Sequence, residues 1–309
     1  MGSDKIFREY FGKCDWNIGA LFAHDGYVFH LYETCKELNI EFPIKYVFGS
    51  IPCLLQGGRV SPRTAELQDA FEIMEKYQGM GIGCRLTFSS TLITEKDLDD
   101  KVSNALLGKL NEGRENGVII SSDLLAVYVK EKYKNLCIIS SQVKPSTEVG
   151  LGNDTVEYYN NLFNMYDLVV VNPVKCRDEE FLRKLEYKDR VEFITNHRCR
   201  PNCTLAKKHY ELQMEFERED MAGRNTRRIK EALENLLSTC SCYRMEKPLE
   251  NSILSNSEIE RLCDIGFKHF KLEGRDNNGI SFMRDVGQWI FNPDGPYLSI
   301  TQSFQGGPI

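Results

Sequence analysis

No stretch of this 309-residue chain approaches the roughly 18 consecutive apolar residues that a membrane-spanning helix needs. Its first residues, MGSDKIFREYFGKCDWN, lack the basic-then-apolar organisation of a secretory signal. The Met-Gly-Ser start is followed by Ile6, where a myristoylation signal prefers Ser or Thr. These absences lead to the expectation of a cytoplasmic protein with no membrane partner. Positive charge is not in excess either. A formal net charge of -6 argues against non-specific nucleic-acid binding, which needs a basic surface, though it leaves room for a local basic pocket. No G-x-G-x-x-G follows any strand-like run, so a dinucleotide fold loses its main support, and neither G-x-S-x-G nor HExxH is present.

Cysteine is in modest excess. Eleven of them, an odd number, point away from a disulfide framework in a cytosolic protein. Cys84 in GIGCRLTF and Cys137 in LCIISS sit among apolar residues and read as small buried hydrophobes.

Short apolar runs alternate with helical stretches through most of the chain. Strand-like segments are IKYVFGS (44–50), IGCRLTFSS (82–90), GVIISS (117–122), LCIISS (136–141), DLVVVNP (167–173), VEFITN (191–196) and HFKLEGR (269–275). Helical spacing covers 63–78, 97–113, 123–133, 155–166, 178–187 and 257–266 between them. Continuously apolar strands separated by helices of this length imply parallel strands with crossover helices. The expectation is an α/β fold, a single TIM-like barrel over 1–309 with seven or eight parallel strands. The strand missing from the pattern is sought near the N-terminus, and a doubly wound open sheet is the alternative. Between Cys203 and Ser257 the rhythm breaks. Two highly charged helices, interrupted at Ala222-Gly223, form an insertion over 204–255, expected to cover the catalytic mouth of the barrel as a lid or wall.

In such a barrel, residues just past each strand converge on one cavity. Strand alternation puts Arg85, Thr87 and Ser89 on one face and Lys271, Glu273 and Arg275 on one face, as a polar barrel interior requires. QGGRVSP (56–62) adds Gly57 and Gly58, which permit close backbone approach, and Arg59, suited to a carboxylate or phosphate. The segment VEFITNHRCRPNC then ends a buried strand on Asn196, His197, Arg198, Cys199 and Cys203. With Cys240, Cys242 or Cys176 these thiols form a candidate metal site, for iron–sulfur or for zinc; the same cysteines without metal are the alternative.

The order N-x-x-C-x-x-x-C followed by His209-Tyr210, with the late strand Phe270 to Arg275, resembles the collagenase-like peptidase family, peptidase family U-32. The resemblance implies a TIM-like barrel holding a [4Fe–4S] cluster through four cysteines, here Cys199 and Cys203 with Cys240 or Cys242 and Cys176. Members of that family assist oxygen-independent hydroxylation of RNA or quinone precursors, and some were named as peptidases. An additional C-terminal domain like that of the RNA-acting members is not expected here, which with the acidic net charge speaks against RNA; the arginines lead instead to the expectation of a small anionic organic substrate. In this reading Glu273 is the general acid or base, Arg85 and Arg275 join it in catalysis, and Arg59, Asn196, His197 and Arg198 bind substrate. Two other classes remain: a zinc-stabilised barrel that binds a partner protein or serves as a scaffold, and a peptidase with Cys199 as nucleophile beside His197 or His209.

Overall fold

The computed structural model describes residues 7–8, 10–57, 66–149, 154–197, 199, 203–240, 253–274 and 278–292. Eight parallel strands follow one another in sequence order and close a barrel. They are β1 (Asp15–Ile18), β2 (Ile44–Gly49), β3 (Gly83–Phe88) and β4 (Gly117–Ile120). The second half comprises β5 (Cys137–Ser140), β6 (Leu168–Val171), β7 (Val191–Ile194) and β8 (His269–Leu272). The sequence pattern lacked β1, whose DWNI is half polar. Its Trp16 pairs with Ile44 on one side and Phe270 on the other, which closes the sheet and excludes the open doubly wound alternative.

Alternation along these short strands builds two separate apolar regions. Outward side chains such as Trp16, Val47, Leu86, Val118, Val169 and Phe270 pack beneath the helices. Inward ones, Phe48, Ile119, Ile139, Leu168, Val170 and Ile194, fill the barrel interior. Polar side chains share that interior, from β1, β3, β7 and β8: Asn17, Arg85, Thr87, Glu192 and Lys271 are all buried.

The crossover helices are α1 (Asp25–Glu37), α2 (Leu67–Gly79), α3 (Lys101–Glu112) and α4 (Asp123–Lys132). They continue with α5 (Val143–Glu148), α6 (Val156–Leu162) and α7 (Glu179–Lys184). Periodicity did not reveal α5. Its VKPSTE carries Pro145 in the first turn, where the missing N–H forfeits no helical bond. Between β7 and β8 run α8 (Ala206–Met221), α9 (Arg227–Thr239) and α10 (Asn256–Ile265), and α11 (Gly279–Ile290) follows β8. The ends of α10 are legible in sequence: Ser255 and Glu258 form a reciprocal capping box, and Gly266 ends the helix at φ +110°. The turn between α8 and α9 contains Gly223 at φ +65°, beside the Ala222 at which the charged run was expected to break. Among the described residues no helix is long and apolar enough to cross a membrane.

Candidate functional site

A cavity of about 100 Å³ lies at the carboxyl end of the barrel. Its floor is the upper interior, with Phe48, Thr87, Ile119, Ile194 and Lys271. Its roof is α8, which contributes His209, Tyr210, Gln213 and Met214. Three sets of contacts hold the roof down. Arg218 forks onto Asp97 at 3.0 and 2.6 Å, Gln56 donates to Glu217 at 2.6 Å, and Tyr210 donates to Gln142 at 3.3 Å. The loop after β2 passes beneath α8 because Gly57 lies flat against the backbone of Ser89 and Ser90. A Cβ there would fall 2.0 Å from the Ser90 nitrogen. Ser89 donates to the Gly57 carbonyl at 2.7 Å and fixes that approach.

One wall grows out of β7 and β8. The Asn196 amide brackets Glu273, donating to its carbonyl at 2.7 Å and accepting from its N–H at 2.7 Å, and also donates to Asp285 at 3.0 Å. Asn196, expected to bind substrate, is thereby committed to positioning. Glu273 lies just past the end of β8, and its Oε2 is 3.2 Å from Nδ1 of buried His197. A side-chain hydrogen bond joins His197 to Cys199 as well. Burial pulls the imidazole pKa down, but the bonds to Cys199 and Glu273 outweigh it and raise the value to about 10. The ring is therefore an imidazolium at neutral pH. Cys199, His197, Glu273 and Lys271 all line the cavity.

Two expected roles need correction. Arg85 sits below the cavity, inside the barrel. Its Nη1 is 2.7 Å from Glu192 Oε1, and its guanidinium lies 3.6 Å from the centre of the Tyr46 ring. Asn17 donates to the same carboxylate oxygen at 3.0 Å. Arg85 is thus a buried structural cation rather than a group on the substrate. Glu192 had escaped notice, although an acid within the apolar run VEFI is itself a signal of an internal partner. The second correction is Cys176, which lies 1% exposed in the packing between barrel and helices. Burial pushes its thiol up to about 12, the environment of a small hydrophobe.

Cys203 is half-buried and Cys240 is buried at the end of α9. Burial raises the Cys203 thiol pKa, and the neighbouring Cys240 and Cys199 raise it further, so the three share one neighbourhood. Among the described residues, however, no three His, Cys, Asp or Glu side chains converge as a metal-binding set. Arg59, Arg198, Cys242 and Arg275 lie outside the described residues.

No family model matches the chain, and no curated protein does. A solved structure does: the U32 peptidase Mk0906 aligns with a TM-score of 0.53 over 84% of this chain and 92% of its own, at 13% identity. The chain has the fold of a U32 peptidase. At this identity the likeness is one of fold, and the chemistry has to be argued from the site.

Proposed function

We propose that the chain is a thiol-dependent barrel enzyme that cleaves an acyl bond in a small anionic substrate. The observation that carries this reading is His197, held at the cavity wall between Cys199 and Glu273. In such an arrangement the Cys199 thiolate attacks the substrate carbonyl carbon. His197 gives its proton to the leaving nitrogen or oxygen, whose bond to that carbon breaks as the acyl thioester forms. Water, losing a proton to the now neutral imidazole, attacks the thioester carbon; the C–S bond breaks, the acid is released, and thiolate and imidazolium are restored. Glu273 orients the ring and favours its charged form. Lys271 supplies a positive charge at the cavity floor for a substrate carboxylate or phosphate. The cavity, at about 100 Å³, is smaller than the roughly 300–1,000 Å³ of drug-sized sites, which favours a small substrate over a folded polypeptide.

A second reading keeps the thiols as ligands, of an iron–sulfur cluster in a redox or hydroxylating enzyme, or of zinc in a binding protein. What favours it is Cys203, whose thiol interacts with both Cys199 and Cys240, with Cys242 two residues further along the chain.

Metal content and thiol chemistry separate the two. Protein purified without oxygen is expected to hold no stoichiometric iron, zinc or acid-labile sulfide, and iodoacetamide labelling of Cys199 is expected to stop hydrolysis of carboxylate-bearing acyl anilides. Cys199→Ser should lower kcat/KM at least about a thousandfold. About four irons and four sulfides per chain, lost in Cys199→Ala, would overturn the hydrolytic reading in favour of the cluster.

A further inference from the structure

Far from the cavity, two thiols face each other across the seam where the barrel closes. Cys14 immediately precedes β1, and Cys263 lies in the last turn of α10, the helix that leads into β8. Although 249 residues apart in sequence, their Sγ atoms are 3.4 Å apart. Two neighbouring contacts fix the same pair of segments. Lys13 pairs with Asp264 at 3.0 Å, and the Asp15 N–H donates to the Lys268 carbonyl at 2.7 Å. Both thiols are partly exposed, whereas Cys35, Cys53, Cys84 and Cys176 are buried.

We propose that Cys14 and Cys263 form a redox modification site, a dithiol that a hydroperoxide converts into a disulfide bolting the N-terminal segment to α10. The proposal is independent of the chemistry assigned to Cys199. The two partners have different roles. The hydrogen bond from Cys14 and the positive charge of Lys13 lower the Cys263 pKa, while the same bond and burial raise that of Cys14. Cys263 is accordingly the attacking thiolate. Its sulfur attacks the peroxide, the O–O bond breaks, hydroxide leaves, and Cys263 becomes a sulfenic acid, oxidised by two electrons. The Cys14 sulfur then displaces that oxygen. The S–O bond breaks, the S–S bond forms, and the Cys14 proton departs with the oxygen as water. Because α10 feeds β8 and Cys14 leads into β1, the new bond spans the first and last strands and closes nearly the whole chain into one loop.

The full chain is treated with a slight excess of hydrogen peroxide, blocked with N-ethylmaleimide, digested without reduction and mapped by mass spectrometry. A cross-linked peptide pair carrying Cys14 and Cys263 is expected, together with a thermal midpoint raised by about 5 °C or more over the reduced protein and restored by dithiothreitol. Cys14→Ser should melt like the reduced wild type, lose the cross-link and carry Cys263 onward to sulfinic acid; Cys263→Ser should melt likewise and show no oxidation at Cys14. Recovery of both residues as free thiols after the peroxide is consumed would overturn the proposal. So would linkage of Cys263 to any other cysteine.

Discussion

His197 carries a charge where burial alone would remove it. Its folded pKa of about 10 lies above the ordinary 6.5 because Cys199 and Glu273 stabilise the imidazolium. A raised value contributes stability that is present in full below about pH 6.5 and is lost as pH climbs through 10. The unfolding free energy of the wild type minus that of His197→Gln should therefore be greatest near pH 6, on the order of a few kcal/mol, and shrink towards pH 10. Urea titrations of both proteins across this range check it; a difference independent of pH would remove the ion-paired ring from the account. The residues of this wall were legible as candidates, since NHRC follows a strand and Glu273 follows another. Their pairing was not. Asn196 reads equally well as a ligand-binding amide, and only the bracket it forms around the Glu273 backbone reveals what it holds.

Among the elements, α8 determines access to the cavity. Its attachment is polar, with Arg218 on Asp97 the one charged fork that the described residues show in it. A charge-assisted bond of this kind contributes about 1.5–3 kcal/mol. Arg218→Ala should thus speed limited proteolysis near the Gly223 turn by about ten- to a hundredfold, with a global unfolding midpoint close to that of the wild type. Cleavage at the wild-type rate would mean that Met214 and the rest of the roof hold α8 without the arginine. Charge patterning made this helix pair readable in sequence, including the break before Gly223. The partners of α8 were not readable, because Gln56, Asp97 and Gln142 come from three different loops whose meeting depends on barrel closure.

For the whole molecule, closure places a buried ion pair across the barrel interior. Arg85 on β3 and Asn17 on β1 both reach Glu192 on β7, while Glu192 Oε2 and Arg85 Nε have no hydrogen-bond partner among the described residues. Removing one member strands the other charge in an apolar interior. Glu192→Leu should cost about 3–5 kcal/mol in urea denaturation, and Arg85→Met combined with Glu192→Leu should recover most of it. Equal losses in the single and double variants would show that the pair does not act as a unit. Arg85 illustrates how far sequence carries: alternation with Cys84 and Leu86 assigns it to the inner face, since side-chain direction along a strand is a local, period-two property. The same local rules account for strand and helix order, and so for the barrel. Depth along the barrel axis, and hence whether an inward arginine meets substrate or Glu192, depends on the register between strands distant in sequence. The meeting of Cys14 with Cys263, and of His197 with Glu273, has the same origin. These contacts exist because β1 and β8 close a ring, a long-range condition that no window of sequence contains.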